Sequence, residues 1–306
     1  INLKNFMKWK NLGIFFGKKN FHKWNKSHAW VPTAFKIKDS IYRIFYAGRD
    51  KWNHSNIGAF NIDMNKPQKI FNISKKPILY KGARGYFDDC AAIPCQIFKF
   101  KKKYYLYYIG WTQGVTVPYI ASIGLATAKG LSGKFTKFSN APIIGRTKSD
   151  PIFTASSFVV REKSFFRIYY TSNKKWVKKK KFIPKYNIRE AISKDLINWV
   201  YNKDTIKLKK KEIAITRPWI IKIYNKNLMF YSYRSKNYKI GIAIKNKKNN
   251  WIRKDKEIKI INERNKFDNK MQEYASVIKF KKNYFMFYNG NNYGEKGIGL
   301  AILEKN

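Results

Sequence analysis

Residues 87–126 read FDDCAAIPCQIFKFKKKYYLYYIGWTQGVTVPYIASIGLA. Three strands are legible in this stretch. Ala91 to Phe100 follows two carboxylates, Tyr104 to Tyr108 is an aromatic run, and Ser122 to Ala126 is short and β-branched. β-Branched and aromatic runs bounded by turn residues are the signal for strands. A lysine-rich hairpin joins the first pair, and a longer polar loop around Trp111 is expected to join the second.

The pattern recurs along the whole chain. Its aromatic strand ends at Tyr46, Tyr108, Tyr170, Tyr231 and Tyr288, a period of about sixty residues. Each end runs into a small or polar turn: AGRD, IGWT, TSNK, SYRS and NGNN. The third strand recurs as Ile57-Gly58-Ala59, Ile123-Gly124-Leu125, Ile188-Arg189-Glu190, Ile240-Gly241-Ile242 and Ile298-Gly299-Leu300. A fourth follows four of them, as QKIFNIS, KFTKFSN, INWVYNK and NWIRKDK. Five repeats of a four-stranded antiparallel unit predict an all-β, five-bladed β-propeller over residues 1–306, with blades starting near residues 28, 84, 150, 212 and 268. The competing reading is one large irregular β-sandwich. The fifth repeat lacks a fourth strand. Leu12-Gly13-Ile14-Phe15-Phe16, inside the 1–26 segment, is expected to supply it and close the ring.

The 306 residues are 44% hydrophobic and 17% aromatic, enough for one closed repeat domain. The formal net charge of +47 points to a polyanion partner when taken alone. A chain rich in Lys, Asn, Ile, Phe and Tyr together is also what AT-rich codons produce, and the lysines cluster in hairpins and connections. Drift is therefore the preferred account, and nucleic acid is not the expected partner. Cys90 and Cys95 are the two cysteines, five positions apart on one strand and unable to pair. This favours a reducing, cytoplasmic setting. No signal peptide or membrane span is read. Three scattered histidines make no metal cluster, and no cofactor motif appears.

In an antiparallel blade, the start of strand 1, the end of strand 2 and the start of strand 3 share one end. Polar residues at those positions should meet around the pore. They are His28, Arg84, Asp88, Asp89, Asp150, Glu212, Arg217, Gln272 and Glu273. The connecting loops add Arg49-Asp50, Trp111-Thr112-Gln113, Trp176, Tyr233-Arg234 and Asn289 to Asn292, including Asn291. A guanidinium grips carboxylate or phosphate at two points, which an ammonium does not. Acids, fixed cations and aromatic platforms together suit an anionic or phosphorylated sugar. Plainer readings compete at several positions. Asp88 or Asp89 could cap a turn, Asp150 could shape the turn before Pro151, Glu212 could be an ion pair, and Trp111 and Trp176 could be packing. The 172–186 insertion is expected to form a flap or rim.

The segments SHAWVPTAF, IFYAGRD, GYFDDCAAIPC, YYLYYIGWTQGVTVPYIASIGLA, TRPW, YSYRSKNYKIGIA, MQEYASV and YNGNNYGEKGIGLAIL span nearly the whole chain. They resemble the five-bladed propeller glycosidase-like proteins related to glycoside hydrolase families 43, 32 and 130. The branch they look closest to accompanies bacterial surface-polysaccharide genes. It is similar to the N-terminal domain of plant glucosamine inositolphosphorylceramide transferases. The resemblance implies a carbohydrate-active enzyme that cleaves or transfers a glycosyl unit of a sugar, sugar phosphate or oligosaccharide. Families 43 and 32 carry a carboxylate on the first strand of blade 1, where this chain has His28-Ala29-Trp30-Val31-Pro32. A catalytic pair would then come from Asp89 or Asp88 with Glu273 or Glu212. Alternatively, one acid protonates the leaving group while a phosphate or sugar hydroxyl attacks. His28, Arg49, Arg84, Trp111, Gln113, Asp150, Arg217, Tyr233, Arg234 and Asn291 are the expected substrate contacts. A non-catalytic glycan-binding propeller and a polyanion-binding propeller are the alternatives.

Overall fold

A computed structural model describes residues 7–67, 69–131, 133–178, 181–261 and 267–304. Strands follow one another with almost no helix. They are β1 (Met7–Phe16), β2 (Ser27–Lys38), β3 (Ile41–Arg49), β4 (Ser55–Asp63), β5 (Ile70–Phe71), β6 (Ala91–Phe100), β7 (Lys103–Gln113), β8 (Tyr119–Ala128), β9 (Thr136–Lys137), β10 (Thr154–Arg161), β11 (Phe166–Lys178), β12 (Phe182–Ser193), β13 (Val200–Ile206), β14 (Ala214–Ile223), β15 (Lys226–Arg234), β16 (Tyr238–Lys245), β17 (Trp251–Arg253), β18 (Ile258–Ile261), β19 (Glu273–Phe280), β20 (Asn283–Asn289) and β21 (Ile298–Leu303). The order is that of repeated antiparallel meanders: β2-β3-β4-β5, β6-β7-β8-β9, β10-β11-β12-β13, β14-β15-β16-β17, then β19-β20-β21. Single parallel bridges, Ser55 to Ala91 and Tyr186 to Ala214, link neighbouring meanders into larger sheets.

The N-terminal strand completes the last meander. β1 runs antiparallel to β21, with Trp9 opposite Leu303 and Phe16 opposite Ile298. Its outer edge is covered in turn by β18, which pairs with it in parallel from Met7 to Lys10. That second partner is not visible in the sequence pattern. Trp9 and Phe16 are fully buried, whereas Leu12 and Ile14 are about half exposed.

Packing between meanders makes the core. Phe45 and Ile57 meet Ala92, Leu106 and Tyr108, and Ile93, Tyr107 and Ile123 meet Val159 and Ile168. Tyr169 and Ile188 meet Ile215 and Met229. Trp219 and Phe230 meet Val277 and Met286. The last meander then returns to the first, with Phe287 and Leu300 against Ile44, Tyr46 and Phe60.

The repeated Tyr and Ile-Gly signatures belong to one device. Tyr46 faces Gly58, Tyr108 faces Gly124, Tyr231 faces Gly241 and Tyr288 faces Gly299 across the second and third strands. A Cβ on Gly124 would lie 2.4 Å from the Tyr108 ring, so glycine is what lets the ring cross its neighbour. In the β11–β12 pair the partner of Tyr170 is Arg189 instead.

The innermost strands carry bulges. Val31, Ser156, Arg217 and Tyr274 have φ between 31° and 60°, each where the register shifts. A bulge turns side chains out of the pleat alternation and often re-aims them at a site. Positive φ is costly for a β-branched residue. Val31 is held there by its N–H, which donates to Asn289 Oδ1 at 2.8 Å.

Trp9→Ala empties a fully buried site in the closing strand and should cost about 3–5 kcal/mol. Leu12→Ala, on the exposed side of the same strand, should stay within about 1 kcal/mol. Denaturant melts of the two variants against wild type check the asymmetry.

Candidate active site

One cavity of about 330 Å³ opens where the expected ends converge. Arg49 from the end of β3, Trp111 near the end of β7 and Arg234 at the end of β15 line it, as the strand order requires. Bulge residues Val31, Ser156 and Tyr274 also line it, with Thr171 and Thr216, whose hydroxyls are 2.9 Å apart. Trp111 lies within β7, opposite Ala91 and Ala121, rather than in the polar loop expected from the sequence.

The walls are aromatic. Trp30, Trp111, Tyr119, Tyr186, Tyr238 and Tyr293 join Tyr274 around the space. Trp111 meets Tyr119 edge-on at 4.9 Å, and Tyr119 meets Trp176 at 5.3 Å. Residues 172–178 and 182–186 of the insertion extend the β11–β12 pairing past a register shift between Asn173 and Lys175, with Trp176 paired to Pro184, and Pro184 lines the cavity. The Tyr186 and Tyr238 hydroxyls are hydrogen-bonded to each other. Burial raises the pKa of Tyr186, Tyr238 and Tyr274, so their phenols stay neutral.

Two guanidinium groups face this space. Arg49 stacks on Trp30 at 4.9 Å, and Arg234 stacks on Tyr238 at 4.8 Å while Nη1 reaches Tyr293 Oη at 3.4 Å. No carboxylate lines the cavity among the described residues. Other arginines are committed to acids: Arg167 to Glu190, Arg189 to Asp150, and Arg253 to Glu212. His28 lies behind Arg49, its Nε2 at 3.3 Å from Arg49 Nη1 and its Nδ1 at 2.9 Å from Ser27 Oγ. Burial, then the Arg49 charge, lowers its pKa to about 4, so the imidazole is neutral at pH 7.

Glu273 opens β19 beside the lining residue Tyr274. It is fully buried, and neither carboxyl oxygen has a hydrogen-bond partner. Burial drives its pKa well above the ordinary carboxylate value, against the opposing effects of Tyr274 and Arg234. Burial therefore favours the protonated form of this carboxyl, the direction that suits a general acid.

Several expected site residues do other work. Asp88 is fully buried, accepts from Tyr108 Oη at 3.0 Å and pairs with Lys137 at 2.5 Å. Asp150 accepts from Tyr170 Oη at 2.7 Å and from Arg189 at 2.6 Å. Tyr288 bonds Asp268 in the same way, at 2.7 Å. These acids latch the strand-end tyrosines. Asp88 and Asp150 are thus corrected from catalysis and substrate contact to structure. Glu212 is likewise a structural ion pair, gripped at both oxygens by Arg253 at 2.7 Å. Arg217 does not reach the cavity. It is fully buried and donates to Pro32 O and Thr33 Oγ1 at 2.8 Å and to Cys95 O.

Others sit outside the cavity lining. Arg84 and Gln113 are exposed, Tyr233 packs beside Arg253 at 5.6 Å, and Asn291 Oδ1 accepts from the Lys270 and Met271 N–H groups. Asp89 is half-buried outside the lining. Burial alone would raise its pKa, but hydrogen bonds from Thr112 and the Gly85 N–H outweigh this and lower it. The tyrosines of the cavity were missed by sequence reasoning. The signal for three of them was present: Tyr119, Tyr186 and Tyr238 stand at or near the start of a third strand. Cys90, just before β6, and Cys95, within it, are free thiols. Among the described residues no acid, histidine and cysteine cluster could hold a metal, and no helix is long and apolar enough to cross a membrane.

This architecture occurs in solved carbohydrate-active proteins. One described as a glycoside hydrolase superimposes with a TM-score of 0.76 at 16% identity, covering 99% of this chain and 93% of that one. A structure reported under the GH130 family of mannoside phosphorylases, with hydrolases that target β-1,2 mannosidic linkages in Candida mannan, gives 0.68 at 14%, over 91% and 85%. An α-L-arabinofuranosidase from Podospora anserina, in complex with cellotriose, gives 0.64 at 12%, over 98% of both chains. The chain has the glycoside hydrolase-like β-propeller fold. No family model matches it. It is 32% identical over 301 residues to a Mycobacterium tuberculosis protein described as uncharacterized protein Rv1502, covering 97% of this chain and all of the relative. The counterpart in a second strain, MT1551, matches to the same extent. The chain belongs to the family of these mycobacterial proteins.

A buried carboxyl with a raised pKa weakens the fold as pH rises. Above the ordinary glutamate pKa the unfolded chain releases a proton that folded Glu273 retains, so stability falls until the folded pKa is passed. Glu273→Gln should therefore be more stable than wild type at pH 8 and indistinguishable from it near pH 4. Paired denaturant melts across that range check the sign.

Proposed function

We propose that this chain is a five-bladed propeller that binds an anionic, phosphorylated sugar in its aromatic cavity and cleaves or transfers the glycosyl unit. The observation that carries the reading is the pair Arg49 and Arg234, two ring-stacked guanidinium groups facing a cavity with no carboxylate, beside the buried carboxyl of Glu273. The five-blade count is supported by the meanders that pack consecutively and return to the first. Aromatic rings bind sugar C–H faces, and the Thr171, Thr216 and Ser156 hydroxyls are placed to meet sugar hydroxyls.

The chemistry that fits is single-acid glycosyl transfer. Glu273 lies behind the lining, so its proton passes by way of the Tyr274 hydroxyl, which takes it up and releases its own to the glycosidic oxygen as the bond from the anomeric carbon to that oxygen breaks. A phosphate oxygen or an acceptor hydroxyl then bonds to the anomeric carbon from the other side. Arg49 and Arg234 hold the anionic group and offset the charge that moves. Asp89, ionised and outside the lining, is the acid assigned here a role as base toward an incoming hydroxyl. A role in surface-polysaccharide synthesis is supported by the sequence resemblance described above.

The missing carboxylate in the lining favours a second reading, a propeller that binds such a sugar without turning it over. Calorimetry and phosphorus NMR with a panel of sugar phosphates and nucleotide sugars separate the two. Arg49→Met and Arg234→Met should each weaken binding by about tenfold or more, the scale of a charged hydrogen bond. Glu273→Gln should keep binding and lose turnover. Tight binding with no product from wild type selects the second reading, and no binding of any phosphorylated sugar rejects both.

A further inference from the structure

The connections from second to third strands stand at the cavity end of the meanders, and three of them carry an exposed apolar residue where solvent should favour a polar one. Val115, in the β7–β8 connection, is fully exposed, and Trp52, between β3 and β4, is 68% exposed. Phe182, where β12 begins on the extended β11–β12 hairpin, is 40% exposed. These three belong to three different meanders yet share one end of the molecule. That end is set by the lining residues Arg49, Trp111 and Pro184, which stand on the same strand pairs.

Charge accompanies them. Lys51, Lys175, Lys178, Lys181, Lys236 and Lys296 are exposed on these connections. Lys51 lies over the Trp52 ring at 4.8 Å. Two acids stand among them, Asp50 and Glu295. Asp50 Oδ1 is occupied by the N–H groups of Trp52 and His54.

We propose that this face docks on an anionic lipid bilayer, with the cavity mouth turned toward the headgroups. Separate apolar tips ringed by lysines are the chemistry of an interfacial anchor. The tips enter the boundary between headgroup and acyl chain, while the ammonium groups meet lipid phosphates. A nucleic acid would draw on the lysines but gives bare Val115 and Phe182 nothing to insert into, so the bilayer is the favoured occupant. The arrangement extends the sugar reading, because a sugar carried on a lipid phosphate would be presented directly to the mouth. Vesicle binding needs no turnover, so it succeeds or fails separately from that chemistry.

The test is co-sedimentation of the full chain with vesicles of phosphatidylcholine alone or mixed equally with phosphatidylglycerol. Wild type should bind the mixed vesicles, bind neutral ones weakly, and retain part of its binding in high salt. Trp52→Ser, Val115→Ser and Phe182→Ser combined should lower the partition coefficient by about tenfold or more while the melting temperature is unchanged. Val115→Ser alone, at a fully exposed position, should show a measurable part of the loss. Lys51→Glu, Lys178→Glu and Lys236→Glu combined should abolish the preference for anionic vesicles. The proposal is overturned by absence of vesicle binding, or by serine variants that bind as wild type does, which would mean adsorption by charge alone. Duplex DNA that displaces the vesicles and binds the serine variants undiminished would also overturn it.

Discussion

A single buried cation ties the inner strands together. Arg217 is fully enclosed, and its guanidinium reaches Pro32 and Thr33 on β2 and Cys95 on β6 from its own place on β14. Among the described residues its guanidinium meets carbonyl and hydroxyl oxygens rather than a carboxylate, and burial lowers its pKa to about 10. It remains charged at neutral pH because planar donors meet several fixed acceptors at once. Removing those acceptors would leave an expensive unpaired charge. The neighbouring residue Thr216 lines the cavity, as does Val31 just before Pro32. The cavity floor therefore inherits its shape from strands that Arg217 holds in register.

A second constraint explains why the acids were hard to assign. Carboxylates gather at one end of the repeats, and that much was legible. The sequence could not say which way each would turn. Asp88, Asp150 and Asp268 lie 20 positions before the tyrosines they accept from. That spacing is as regular as the strands themselves, and regularity of this kind serves the repeat rather than the ligand. Glu273 stands outside that set: Asp268 already latches Tyr288 in its repeat, and Glu273 opens β19 fully buried beside Tyr274. A departure from the internal pattern was thus the better guide to chemistry than the pattern.

The strand order, the Ala91 to Phe100 boundaries and the closing N-terminal strand could be read directly, because β-branched and aromatic runs bounded by turn residues write them into local sequence. The cavity walls could not. Tyr274 and Val31 reach the cavity through backbone bulges, where a residue leaves the alternation that any strand reading assumes. Arg217 was misplaced for the same reason: its bulge sends the side chain across the inner strands, away from the cavity. Arg49 and Arg234 end their strands without a bulge, and they are where the sequence put them.

The pairing of Trp9 with Leu303 has a consequence for biosynthesis. β1 is synthesised long before its partner strands β18 and β21, so an apolar ribbon carrying Trp9 and Phe16 waits while the strands between them are made. Its contacts are among the most distant in the chain, and such contacts form late. Until β21 exists, β1 is a loose apolar strand that can pair with the finished β21 edge of a neighbouring chain on the same polysome, a route to strand exchange.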